Sequence, residues 1–168
     1  MNRVLVIGCS GSGKSTLSCK LGSKLEISVV HLDRLWWLPG WTNISQEAFD
    51  RKLAGELEKP RWIIDGNYSR TLPLRLQYCD AVVYLDYNRF TCLWGVLRRV
   101  IRYKGGSRPD MAPGCPERFN WEFMCWIWNF NKNNRERIYG MLSQSKGIEI
   151  VVLKNRRQAK RFLQDVVE

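Results

Sequence analysis

The chain has 168 residues, 45% hydrophobic and 26% charged, a balance that fits one globular domain with a full core and excludes a disordered chain. Its formal net charge of +11 is uneven: residues 1–88 carry 11 Lys/Arg against 9 Asp/Glu, and residues 89–168 carry 16 against 7. No apolar run approaches the ~20 residues of a membrane span, no signal peptide is expected ahead of the first strand, and the six cysteines include no C-x-x-C pair, so a cytoplasmic protein with reduced thiols and no structural zinc is expected.

Read in chain order, strands alternate with helices. Residues 3–7 form a short apolar, β-branched run expected to be a buried strand. Gly8-Cys9-Ser10-Gly11-Ser12-Gly13-Lys14-Ser15, followed by Thr16, matches G-x-x-x-x-G-K-[ST] without substitution, and Leu17, Leu21 and Leu25 then recur four apart, as on one helix face. A second strand is expected over 27–32, a helix over 45–57 capped by Ser45, a third strand over 62–65 and a fourth over 81–86. Residues 89–103 read as a helix, 104–115 as a Gly/Pro-rich loop, 120–142 as a long aromatic-rich helix, 148–153 as a fifth strand and 156–167 as a closing helix. The expectation is a single domain over residues 1–168, a three-layer α/β/α fold around a five-stranded parallel sheet.

The loop after the first strand carries the most specific chemistry. Gly8, Gly11 and Gly13 permit backbone angles that a Cβ forbids, so the amides of the run, through Ser10, Ser12 and Thr16, can turn inward around phosphate oxygens. The helix starting near Lys14 adds its positive dipole end. Lys14 is expected at the β- and γ-phosphates and the Ser15 hydroxyl at Mg²⁺. A glycine-rich turn without a ligand is the plainer alternative, and the Gly-Lys-Ser-Thr ending argues against it. The motif implies ATP or GTP with Mg²⁺ and is silent on the fate of the phosphate.

Open α/β sheets bind ligands beyond the carboxyl ends of their strands, which singles out Asp33 after the second strand and Asp65 at the end of the third. A carboxylate there can hold Mg²⁺ or accept a proton from an attacking hydroxyl. Asp86, at the end of the fourth strand, reads as structural, and His31 as a strand residue.

Asp65-Gly66-Asn67-Tyr68-Ser69-Arg70-Thr71 resembles the Asp-Gly-Phe-Pro-Arg-Thr segment of adenylate kinases and other nucleoside monophosphate kinases, with one extra residue and Asn-Tyr for Phe-Pro. Over nearly its whole length the chain is similar to bacterial proteins called "DNA topology modulation protein", an adenylate-kinase-like family. The matching blocks are the 8–16 loop, His31-Leu32-Asp33-Arg34-Leu35-Trp36-Trp37 with Pro39-Gly40-Trp41, Trp62-Ile63-Ile64-Asp65-Gly66-Asn67-Tyr68, the Arg98/Arg99/Arg102 cluster and Pro116-Glu117-Arg118-Phe119. The resemblance implies an adenylate-kinase-like fold, Asp65 in the Mg²⁺ shell, Arg70 on the acceptor's phosphate and Asp33 beside the acceptor. Trp37, Asn67 and Tyr68 fall in the same acceptor-side blocks.

Arg98 and Arg102 share one helix face, Gly105-Gly106-Ser107-Arg108-Pro109 offers a hinge, and Arg118 follows. This is the composition of a closing lid, about 103–118, that would bring Arg98, Arg102 and Arg108 onto a transferring phosphoryl group. A solvated basic face is the competing reading. For the tryptophans, Trp36, Trp37 and Trp41 divide between stacking on a base or sugar and packing, whereas Trp121 and Trp128 read as core. The combination points to an ATP- and Mg²⁺-dependent phosphotransferase acting on a nucleotide, nucleoside or related small acceptor. A DNA-associated ATP-binding regulator and a polynucleotide 5′-hydroxyl kinase are the alternatives. Nucleic acid is the less favoured partner, because no aromatic-interleaved RNA signature, zinc finger or basic zipper accompanies the charge.

Overall fold

A computed structural model of the chain describes residues 1–166. The main sheet consists of β1 (Arg3–Gly8), β2 (Val29–His31), β5 (Trp62–Asp65), β6 (Ala81–Leu85) and β7 (Glu149–Leu153), all parallel, in the order β2-β5-β1-β6-β7. Between β2 and β5 lie a one-turn helix α2 (Leu32–Trp36) and a small antiparallel hairpin, β3 (Trp37–Leu38) and β4 (Thr42–Asn43), followed by α3 (Gln46–Leu57). The other helices are α1 (Lys14–Leu25), α4 (Leu72–Tyr78), α5 (Arg89–Arg102), α6 (Trp121–Gln144) and α7 (Arg156–Asp165).

Central strands with both faces covered must be apolar throughout. Val4, Leu5, Val6, Ile7, Ile63, Ile64, Val82 and Val83 are accordingly all buried. From β1 the chain steps outward to β2, and every later crossover steps the other way. Right-handed crossovers then place α1 on one face and α3, α4 and the α5–α6 pair on the other, with α7 returning to pack on α1. The result is the expected three-layer α/β/α architecture. Helix starts follow local chemistry: Ser45, Asn88, Asn120 and Asn155 each accept a hydrogen bond from a backbone N–H three residues on. α1 instead begins at Gly13, φ +96°, with no side-chain cap, which leaves its first-turn N–H groups to other partners.

The differences from expectation are local. The second strand ends at His31, because Leu32 already starts α2, so Asp33 sits on a helical turn and not in a loop. α4 over Leu72–Tyr78 is a helix the hydrophobic spacing does not announce; its signal is Pro73 in the first turn. In α6 the tryptophans are not core: Trp121 is 71% exposed, while Met124, Ile127 and Phe130 form the buried i, i+3 stripe. The closing helix ends at Asp165, and Val167 lies outside the described residues.

Candidate active site

Of the residues singled out above, the 8–16 loop, Asp33, Asp65, Asn67 and Tyr68 lie at the carboxyl edge of β1, β2 and β5, while Arg70, Arg98 and Arg102 do not join them. Gly8 and Gly13 have positive φ, and Gly11, at φ +78°, faces α5 so closely that a Cβ there would lie 2.1 Å from the Cys92 carbonyl oxygen. From the other side a Cβ on Gly95 would lie 2.0 Å from Gly11 O. The loop and α5 therefore touch backbone to backbone. Lys14 Nζ donates to Cys9 O at 3.0 Å, closing the loop on itself, and Ser12 N donates to the same oxygen at 3.2 Å. Ser12 is buried, Ser10 and Ser15 are partly so, and Thr16 is exposed on the first turn of α1. Cys9, inside the loop, is buried beside Cys92, whose thiol hydrogen bond and the surrounding burial push the Cys9 thiol up, away from the thiolate form that reacts.

Asp65 accepts a hydrogen bond from His31 Nδ1 at 2.9 Å through Oδ1, and its Oδ2 is buried with no hydrogen-bond partner among the described residues. Burial opposes a charge on His31, but the hydrogen bond and charge of Asp65, with Asp110, outweigh it and raise the imidazole above its ordinary range. Cys19 Sγ lies 3.8 Å from His31 Nε2, so Cys19, His31 and Asp65 stand in the order of a nucleophile, base and orienting acid. The electrostatics oppose that use: burial and the charges of Asp65 and Asp110 push the Cys19 thiol up.

The residues expected beside an acceptor form a second shelf. Tyr68 OH donates to Asp33 Oδ1 at 2.8 Å, and Tyr68 stacks on Phe49 at 5.2 Å while Trp36 meets both edge-on. Asn67 Oδ1 accepts from Gly8 N at 3.0 Å, tying this shelf to the phosphate loop. Arg70 reaches outward and pairs with Asp50 through two hydrogen bonds of 3.0 and 2.6 Å, both side chains about half exposed. Trp37 and Trp41 contact each other at 5.5 Å and pack on Met111, Ala112 and Cys115. Trp36, Trp37 and Trp41 thus all rest on protein groups.

The arginines are redistributed. On α5 the inward face carries Cys92, Val96 and Arg99, spaced i, i+4, i+7, whereas Arg98 belongs to the exposed face with Trp94 and Ile101 and Arg102 lies over the Tyr103 ring at 5.5 Å. Helical phase therefore turns Arg99, rather than Arg98 or Arg102, to the loop: its Nη1 donates to Ser10 Oγ at 3.3 Å. Arg108 is buried. It pairs with Asp110 at 3.0 Å and, through Nε, with Glu117 at 2.8 Å, and Glu117 also pairs with Arg99 at 3.1 Å. Burial works against the charge of Asp110, but Arg108 and the Ser15 hydroxyl outweigh it and hold the carboxyl below the ordinary range. The 103–118 segment thus lies folded against the loop.

Sequence reasoning also missed Arg75. On α4, fully buried, it donates to three successive carbonyls, Gly66 O at 3.0 Å, Asn67 O at 2.6 Å and Tyr68 O at 3.1 Å, and so shapes the turn that carries Asp65, Asn67 and Tyr68. With no carboxylate partner, burial pushes its guanidinium down to about 10. Nothing in the spacing marks it, since its partners are backbone atoms.

Neither the protein-family profiles nor the curated proteins contain a sequence match to this chain. Solved structures do match in fold. Shikimate kinase from Bacteroides thetaiotaomicron superposes with a TM-score of 0.53 over 97% of this chain and 94% of its own, at 17% identity. Deoxyadenosine kinase from M. mycoides with bound dATP superposes with a TM-score of 0.58 over 96% and 97%, at 14% identity. At such identities the likeness carries the fold alone.

Proposed function

We propose that this protein is an ATP- and Mg²⁺-dependent phosphotransferase whose acceptor is a nucleotide, nucleoside or related small molecule. One observation carries the reading: the 8–15 loop ends on the uncapped N-terminus of α1, Asp65 stands at the end of the strand paired with β1, and Arg99 of α5 reaches Ser10 while Glu117 joins it to the buried Arg108 of the 103–118 segment. A loop that only bound a nucleotide would not need guanidiniums from α5 and from the 103–118 segment beside it.

In this reading the loop amides and Lys14 hold the triphosphate, with GTP as the other donor. The residues fit a divalent cation: Ser15 offers a hydroxyl, Asp65 an unpartnered buried carboxylate oxygen, and Asp110 lies beside Ser15. Among the described residues no group of three His, Cys, Asp or Glu side chains could hold a metal, so the nucleotide's own oxygens would complete the shell, as is usual for Mg²⁺. Bound there, the ion would supply charge neutralisation at the phosphates. Asp33, oriented by Tyr68, faces the acceptor as base or orienting group; Arg99 and Arg108 stabilise phosphoryl charge, an effect of about 10³-fold or more in rate. A small-molecule acceptor is favoured because the fold neighbours include kinases named for shikimate and deoxyadenosine. Membership of the adenylate-kinase-like family called DNA topology modulation proteins, and a cytoplasmic location, belong to the same proposal. No helix among the described residues is long and apolar enough to cross a membrane.

The test is transfer of a labelled γ-phosphate from ATP to a panel of nucleosides, nucleoside monophosphates and oligonucleotide 5′ ends. Lys14→Ala should abolish transfer and weaken ATP binding; undiminished transfer by that variant sinks the assignment. A second reading, an ATP-binding DNA-associated regulator, draws on the exposed Phe90, Trp94, Trp121 and Trp128 beside Arg89 and Arg98. It requires tight, steeply salt-dependent DNA binding without phosphorylation of any acceptor.

A further inference from the structure

Glu117 accounts for the way the two inward arginines are held. Arg99 belongs to α5 and Arg108 to the 103–118 segment, and one carboxylate joins them: Oε1 to Arg99 at 3.1 Å, Oε2 to Arg108 at 2.8 Å. Glu117 and Arg108 are withdrawn from water, to 5% and 8% exposure, and Arg99 is partly so, at 18%. Burial, and then the charge of Arg108, already lower the Arg99 guanidinium below its ordinary range, and Glu117 opposes that. Glu117 is itself fixed from behind, its N–H donating to Gly106 O at 2.9 Å beside the Lys104–Glu117 bridge.

A buried Arg–Glu–Arg triad is a poor way to hold a segment down, since desolvation offsets most of its Coulomb gain. The segment has other means: the contacts of Met111, Ala112 and Cys115 with Trp37 and Trp41. What the triad does that apolar packing cannot is orient two planar cations. With its inner edge on Glu117, Arg99 presents Nη1 to Ser10 Oγ at 3.3 Å, a long bond that a phosphate oxygen can replace.

We propose that Glu117 is the positioning residue of the donor site, aiming Arg99 and Arg108 together at the terminal phosphate of a bound nucleoside triphosphate. The proposal rests on the reading of the 8–15 loop as a triphosphate site. Without Glu117, Arg108 keeps only Asp110 and Arg99 loses its carboxylate, so the two guanidiniums part and the site loses its contact with the outermost phosphate while the loop still grips the inner ones.

The test compares the dissociation constants of ATP and ADP for the wild type, Glu117→Gln, Arg99→Ala and the double variant, with melting temperatures alongside. Glu117→Gln should weaken ATP binding about tenfold and ADP binding no more than about twofold, within the coupling range of groups in one ion-pair network. Arg99→Ala should reproduce that pattern, and the double variant should add little to either single change. Equal weakening of both nucleotides, no weakening, or additive losses would overturn the proposal, because a merely structural carboxylate does not count phosphates. If Glu117→Gln fails to fold, Arg99→Lys replaces it: the charge is kept but not the fork that spans Glu117 and Ser10, and the same selective loss of ATP affinity is required. Lys14→Ala separates the two levels of inference. If it binds ATP like the wild type, the triphosphate reading falls and this proposal with it; if it loses ATP while Glu117→Gln keeps both affinities, this proposal alone falls.

Discussion

Asp86 shows how a carboxylate at a strand end can be taken up wholly by structural partners, whereas Asp65 on β5 keeps one buried oxygen without a partner among the described residues. Its side chain is 1% exposed and accepts hydrogen bonds from Arg135 Nε at 3.0 Å and Nη2 at 2.7 Å, from Tyr139 OH at 2.8 Å and from Lys154. These bonds tie β6 to α6 and to the end of β7. Burial alone would raise its carboxyl, but the hydrogen bonds from Lys154, Tyr139 and Arg135 prevail and lower it. A group lowered on folding stabilises the folded state above its unfolded value, about 4 for Asp, and loses that contribution as pH falls through the folded value. Asp86→Asn should therefore cost about 2 kcal/mol at neutral pH, less than a fully buried pair because Arg135 and Lys154 are about half exposed. For a chain of this size that is a drop in melting temperature of about 4–8 °C. Melting curves of the two proteins from pH 7 downward should converge below about pH 4. A constant gap would show that the loss is one of packing and not of charge.

At the scale of elements, helical phase decides what the site contains. The spacing of Arg98, Arg99 and Arg102 shows that a basic cluster exists but not which member turns inward, because that depends on where α5 meets the loop. Gly95 settles it: without a side chain it lets α5 rest on Gly11 O, and the rotation that achieves this points Val96 and Arg99 at the loop and Arg98 at solvent. Gly8, Gly11, Lys14 and Asp65 were legible in the sequence because their chemistry is local, a backbone conformation or a strand end. Arg75, Arg99, Glu117 and Asp110 were not, since each acquires its role from a partner distant in the chain or from backbone atoms. Gly95→Ala tests the point. Its new Cβ cannot be accommodated against Gly11 O, and over-packing of this kind costs about 1–3 kcal/mol. The damage should fall on the loop, so the variant should melt lower and also lose most of the stabilisation that saturating ATP should confer on the wild type, about 2.7 kcal/mol at a hundredfold excess over Kd. A variant that melts lower yet gains the full ATP shift would show that the α5 contact does not shape the loop.

Across the whole molecule, the β3–β4 hairpin and the arginine-bearing segment are joined by a small core of their own. Trp37 and Trp41 pack on Met111, Ala112 and Cys115; Gly40 N donates to Gly114 O at 2.8 Å, Trp41 Nε1 to Pro116 O at 3.1 Å and Cys115 Sγ to Leu38 O at 3.1 Å. A sequence reading leaves the tryptophans of 36–41 divided between ligand stacking and packing and treats 103–118 as a separate lid, because about sixty residues separate them and neither has enough apolar surface to suggest a partner. Joined, they link Asp33, one turn before the hairpin, to the segment that holds Arg108 and Glu117, so a movement of that segment should also carry the hairpin. Trp41→Ala should therefore loosen residues 104–118 while leaving the main sheet intact. Loss of a partly buried indole from so small a cluster is worth about 2 kcal/mol of local stability, the lower end for large-to-small changes, or about thirtyfold in the opening equilibrium. Hydrogen exchange resolved by residue should show that acceleration at the amides of Gly106 and Glu117, with the amides of β1 and β6 unchanged. If Trp41→Ala speeds exchange only within the hairpin, the two elements open independently and the linkage between the acceptor and donor sides is absent.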